Sequence, residues 1–128
     1  MPDSDPTQAE GHDVTIFHNP SCSKSRGALC SLEERGVDLG VVEYLVAPPS
    51  RQTFETIVAK LVDPVADLVR TEDTSFVALG LDPADYRTTE AVVDVLLEHP
   101  ELMQRPVVIR GDRAVIARPG ERVLELLD

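Results

Sequence analysis

Three features of the apolar pattern predict a small α/β domain. A β-branched run near the start leads through a turn into a helical stretch and then a second such run, a β-α-β unit. Two short apolar runs near the end flank a Gly-Asp pair, the mark of a hairpin. Between these outer parts, residues 50–100 carry helical periodicity.

Val14-Thr15-Ile16-Phe17-His18 is the first strand, and Asn19-Pro20-Ser21 supplies turn chemistry. A helix is expected from Cys22 or Ser23 to Arg35. Ala28, Leu29 and Leu32 form its apolar face, and Gly36 stands where a C′ glycine belongs. Val41 to Leu45 reads as the second strand, joined to the first by a right-handed crossover. Pro48-Pro49-Ser50 opens the next helix, whose stripe is Phe54, Ile57, Val58, Leu61 and Val62 and whose end is set by Pro64. Residues 65–80 read as short helical turns stopped at Gly80. Thr88 or Thr89 caps a further helix with Val92, Val93, Leu96 and Leu97 inward, closed by His99-Pro100. Val107-Val108-Ile109 and Ala114 to Ala117 are strands about a type II′ Gly111-Asp112 loop, and Pro119 to Leu127 is a docking helix. The order β-α-β, helical insertion, β-β-α makes a thioredoxin-like sheet with helices on its faces.

The chain has 128 residues, enough for one domain. Residues 1–13 read as a disordered acidic tail and residues 14–128 as the single domain. The apolar runs fall far short of the ~20 residues of a spanning helix, so no membrane segment is expected. The first 13 residues lack the basic and apolar regions of a signal peptide, and two cysteines are too few for a disulfide framework. A cytoplasmic protein is expected. The net charge of −11, of which the tail supplies −4, disfavours nucleic acid and anionic membranes as partners. A cluster of arginines in so acidic a body needs a local reason.

Cys22 stands at the mouth of the first helix. Unsatisfied N–H groups and the positive end of the helix dipole favour an anion there, so the thiol's pKa is expected to fall. Lys24 and Arg26 add positive charge nearby, and His18 is placed to approach the sulfur. Cys22 reads as a nucleophile. The alternative, a buried inert cysteine, fits poorly with the polar Ser-Lys-Ser-Arg that follows. Ser25 occupies the place where a dithiol protein carries its second cysteine. Cys30 is eight residues on, ~12 Å of helix rise, beyond the ~7 Å that a disulfide spans. It reads as core or half-buried packing, and any resolving thiol must come from another molecule.

With Gly111-Asp112 as the loop, opposed residues of the hairpin sum to a constant, and Arg105 falls opposite Arg118. Like charges ~5 Å apart are unfavourable unless an anion lies between them. The pair either clamps an oxyanion or splays into water and meets the abundant acids; both arginines are expected at the surface. Spacing alone assigns Arg70 no role beyond that of a helix-end arginine.

His18-Asn19-Pro20-Ser21-Cys22-Ser23-Lys24-Ser25-Arg26 resembles the H-N-P-x-C-x-x-S-R signature of the ArsC family, the arsenate reductases that depend on glutathione and glutaredoxin. The likeness continues through Glu43-Tyr44-Leu45, Pro48-Pro49-Ser50-Arg51, Leu68-Val69-Arg70, Leu79-Gly80, His99-Pro100, Arg105-Pro106 and Arg118-Pro119. It implies Cys22 as nucleophile, with His18 and Ser25 helping to keep it ionised. It implies Arg70, Arg105 and Arg118 as the binders of the oxyanion, Arg26 beside the thiol, and a cis Pro106. It further implies no bound cofactor or metal, an external thiol (glutathione or an equivalent) as co-substrate and a glutaredoxin-like redox partner; nothing in the sequence demands an oligomer, so a monomer is expected. The resemblance leaves as alternative an Spx-like or other ArsC-like thiol protein that acts by protein binding or on another substrate. Spx-like regulators usually carry C-x-x-C, against which Ser25 weighs. Phosphatase-type reductases use C-x5-R, and Ala28 stands where that arginine belongs.

Overall fold

The computed structural model describes residues 13–46, 48–118 and 120–127. Apart from Asp13, the expected acidic tail lies outside these residues, as does Pro119. Four strands form one sheet in the order β2-β1-β3-β4. They are β1 (Val14–Phe17), β2 (Leu39–Val42), β3 (Val107–Arg110) and β4 (Arg113–Ile116). β1 and β2 run parallel; β1 and β3, and β3 and β4, run antiparallel. The helices are α1 (Ser23–Glu34), α2 (Arg51–Lys60), α3 (Thr74–Ala78), α4 (Thr89–Glu98) and α5 (Leu124–Leu127), with short 3-10 turns between several of them. This is the expected thioredoxin-like architecture with a helical insertion.

The sheet is buried on both faces, which is why its strands read as continuous apolar runs rather than as alternating ones. Val107, Ile109, Ala114 and Ile116 face the insertion and pack with Phe54, Ile57, Val93 and Leu96. Val14, Ile16, Val108 and Val115 face the other way, against Ala28 and Leu32 of α1 and Leu126 of α5. The hairpin register is as expected, Val107 opposite Ile116 and Arg110 opposite Arg113. Gly111 has φ +59° and, among the described residues, no non-glycine residue has positive φ, the pattern of a type II′ rather than a type I′ loop. Gly36 and Gly80 likewise take positive φ where they stop the chain after α1 and α3.

Three elements differ from expectation by more than a residue. The C-terminal stretch, expected as one helix from Pro119 to Leu127, is a 3-10 turn (Gly120–Val123) followed by α5, and Pro119 lies outside the described residues. β2 begins at Leu39 and ends at Val42, not Val41 to Leu45. β1 sets the limit: the register runs from Val14–Leu39 to Phe17–Val42, with one further bond from His18 N–H to the Val42 carbonyl. Beyond it the chain turns, and Tyr44 enters the core while Leu45 and Val46 stay exposed. α2 stops at Lys60, before Pro64, because Leu61 turns extended and bridges to Ala114, with Val62 N–H bonded to the Ala114 carbonyl. Hydrogen bonds to the edge of β4 replace the last helical turn, and Val62 of the expected stripe stays half exposed.

Cys30 is exposed, contrary to the expected core or half-buried placement. The buried face of α1 is Ser25, Ala28 and Leu32. At ~100° per residue, Cys30 points away from Ala28. No described helix is long and apolar enough to cross a membrane.

Candidate active site

Register places the site. Phe17 pairs with Val42 on one side and Val107 on the other, and Val107 pairs with Ile116. The C-terminal ends of β1, β2 and β4 and the N-terminal end of β3 therefore share one rim of the sheet. Cys22, Tyr44, Arg105 and Arg118 all lie just past that rim.

The turn that delivers Cys22 is internally bonded. Ser21 N–H donates to Asn19 Oδ1 (2.9 Å) and Cys22 N–H donates to the Asn19 carbonyl (3.0 Å). Cys22 is the N-cap of α1, with extended backbone (φ −102°, ψ 124°) and no capping bond from its side chain. The N–H groups of the first turn are thus left for a thiolate. Burial opposes ionisation. Against it act the Ser25 N–H, the Arg105 side chain and the Lys24 N–H as donors toward the sulfur, together with the Arg105 charge, and the pKa falls to about 7. Close to half the thiol is ionised at neutral pH.

Ser25 is fully buried one turn into α1. Its hydroxyl accepts from Asn19 N–H (3.0 Å) and lies 2.7 Å from His18 Nδ1. Burial lowers the His18 pKa and so favours the neutral ring; Glu43 opposes this and Arg26 reinforces it. The structure thus joins His18 to Ser25 rather than to the sulfur. Arg26 lies exposed, with Nη1 donating to the Pro20 carbonyl (2.9 Å), and so ties the start of the helix to the turn.

The arginines converge as the hairpin arithmetic predicts. Beyond the strands the register continues, with Ala117 N–H bonded to the Pro106 carbonyl (2.9 Å) and Arg118 Nη1 donating to the Arg105 carbonyl (3.1 Å). The Arg105-Pro106 peptide is cis. Arg70 is set by its N–H bond to the Leu102 carbonyl and by a 2.7 Å contact from Nη1 to Asp73 Oδ2. Its pKa is pressed downward by burial and by the Arg105 charge, with a smaller push from Arg118. Three guanidiniums therefore feel one another. Among the described residues neither Arg105 nor Arg118 pairs with a carboxylate, so the arrangement of arginines splayed toward acids does not hold for these two. Nor are they simple surface groups: both are half buried, and Arg105 Nε is wholly so.

Two further participants are Asp73 and Tyr44, to which the sequence reading assigns no role. Asp73 caps α3 by accepting from Ser75 N–H (2.8 Å) while it anchors Arg70. An Asp three residues after an arginine and just before Thr-Ser was the readable sign. Tyr44 reads as a strand residue, yet it is fully buried with its hydroxyl directed to the Arg105 side of the site. An open groove of about 640 Å³ adjoins, lined by Arg70, Arg118 and Arg122 among Asp63, Asp67, Glu72 and Asp73. It shares two arginines with the clamp, and Cys22 is not part of its lining.

A thioredoxin-like sheet with a thiol of lowered pKa at a helix mouth, the Arg105 side chain beside it and a cis Arg105-Pro106 peptide defines a class of thiol proteins. The ArsC family model matches residues 17–126, and the chain belongs to the ArsC family. It is 42% identical over 115 residues to an arsenate reductase of Rhizobium meliloti, covering 89% of this chain and 81% of that protein. It is also 42% identical to one of Haemophilus influenzae, covering 89% and 98%. An arsenate reductase structure from Vibrio cholerae superimposes with a TM-score of 0.80 at 34% identity, over 90% of this chain and 98% of that one.

Proposed function

We propose that this protein reduces arsenate to arsenite with Cys22 as its sole catalytic thiol. The observation that carries the reading is the Arg105 guanidinium beside a thiol whose pKa is about 7, with Arg70 within reach of the charges of both Arg105 and Arg118. Planar guanidiniums suit the oxygens of a tetrahedral oxyanion, and the thiolate supplies the attacking anion. The thiolate attacks As(V), one arsenate oxygen leaves as water, and a Cys22–S–As bond forms. Arg70, Arg105 and Arg118 hold the remaining oxygens. His18 and Ser25 act indirectly, by fixing the turn and the N–H groups that stabilise the sulfur anion.

A second thiol completes the reduction. As the sulfur of an external thiol such as glutathione joins Cys22 in a mixed disulfide, the arsenic takes an electron pair and leaves as arsenite. A glutaredoxin-like protein then reduces the disulfide. The outward aim of Cys30 supports an external rather than an internal second thiol. Such thiols abound in the reducing cytoplasm, where we place the protein. Every residue of the scheme comes from one chain, so a monomer suffices.

The test is arsenite production by purified protein, with glutathione plus glutaredoxin and then with mycothiol plus mycoredoxin. Turnover that disappears in Cys22→Ser is expected. No arsenite from either system, with Cys22 still alkylating as a low-pKa thiol, would refute arsenate as substrate. It would point instead to an Spx-like or other ArsC-like role.

A further inference from the structure

Among the described residues, two buried side-chain atoms lack any hydrogen-bond partner: Tyr44 Oη and Arg105 Nε. Buried polar groups are paired as a rule, and each exception calls for a reason. These two are not scattered. Tyr44 follows the end of β2 and Arg105 precedes the start of β3, and both strands flank β1 at the rim where Cys22 stands. Arg105 stands within donor range of the Tyr44 hydroxyl, and the charges of Arg105, Arg70 and Cys22 act on it. Both atoms are closed to water, so no solvent molecule can serve either of them.

We propose that Tyr44 is a positioning residue: its phenol oxygen accepts from the Arg105 guanidinium and holds it against the Cys22 thiolate. The two atoms are each other's available partners, and the same guanidinium also donates toward the sulfur. Arg105 is then bracketed by two acceptors, one anionic and one neutral. Burial keeps Tyr44 a phenol, raising its pKa although Arg105 pulls the other way. A neutral oxygen accepts a hydrogen bond without competing with the thiolate for the positive charge. The ring is locked in the core beside Phe17 and Met103, so the oxygen is a fixed point. The backbone of Arg105 is held separately, through its carbonyl, by Arg118 Nη1. The side chain has no other anchor among the described residues.

The inference rests on Cys22 being the reactive thiol of the proposed function, but not on arsenate. The experiment is iodoacetamide alkylation of Cys22 against pH, in a Cys30→Ser background that leaves one thiol. Tyr44→Phe keeps the ring and deletes only the hydroxyl. The midpoint is expected to rise from about 7 by about half a unit to one unit, as when a thiolate loses a well-held cationic neighbour. In an Arg105→Ala background the same substitution is expected to cause no further rise. Tm is expected to change little, because the buried ring and its packing are kept and only the hydroxyl is removed. An unchanged midpoint in Tyr44→Phe, whether or not Tm falls, would overturn the proposal and leave Tyr44 a packing residue. So would an equal shift with and without Arg105. Failure to reduce arsenate would not move any of these readouts, so the two readings fall separately.

Discussion

Ser25→Ala is the substitution whose cost follows most directly from the structure. The hydroxyl is fully buried and serves two neighbours, Asn19 N–H at 3.0 Å and His18 Nδ1 at 2.7 Å. Neither of those groups makes another hydrogen bond shown by the structure, and both belong to residues that are themselves buried. Deleting the hydroxyl leaves a backbone donor and a ring nitrogen without partners. A stranded buried group costs roughly 1–3 kcal/mol, so the pair comes to about 2–4 kcal/mol, allowing for partial relaxation. In a domain of this size each kcal/mol lowers Tm by about 4 °C, so a fall of about 8–16 °C is expected. Urea unfolding followed by circular dichroism measures it, with Ser31→Ala on the same helix as control. The turn that carries Cys22 should loosen as well, and the alkylation midpoint should rise. A stability loss under about 1 kcal/mol would show that Ser25 does not hold the turn and would refute the reasoning.

Other outcomes follow from the same geometry. Iodoacetamide alkylation of the wild-type protein should show a Cys22 midpoint near pH 7. Because folding lowers this pKa, the ionised thiol stabilises the fold above the free thiol's value, and that contribution is lost as pH falls through about 7. Wild type should therefore gain stability relative to Cys22→Ser as pH rises from 7 toward 9, read as a shift in urea midpoint. Cys30→Ser should leave arsenite production unchanged, since that thiol faces away from the buried side of α1. Gly111→Ala should destabilise by about 1–2 kcal/mol in thermal melts: φ is +59° and a Cβ would meet nothing within 4 Å, so the cost is conformational.

The sequence carried most of the fold because its punctuation is strong. Pro20, Pro100 and the Gly-Asp loop each bound an element, and two-residue hairpin arithmetic was enough to place Arg105 opposite Arg118. It failed where pairing with a distant strand outweighed local propensity. β2 starts at Leu39-Gly40, residues with little strand signal, because β1 dictates the register. α2 ends early because the edge of β4 offers bonds to Leu61 and Val62. Cys30 follows helical angle rather than residue type: Ala28 and Leu32 define the inward face of α1, and position 30 turns away from it. Tyr44 was missed because a tyrosine in an apolar run looks like packing. Only the absence of a partner for its hydroxyl, a property of three-dimensional structure, marks it out.

The placement of charge has a consequence for approach. The chain carries −11 overall, while Arg70, Arg105 and Arg118 gather at one rim of the sheet. A dianion diffusing toward this molecule meets repulsion at long range and attraction only within the last ~8–10 Å, the screening length at ordinary ionic strength. Moderate salt relieves the distant repulsion before it weakens the contact with the guanidiniums. For the proposed oxyanion substrate, capture would be governed by a short-range trap set in a hostile field, the reverse of electrostatic steering by a basic surface.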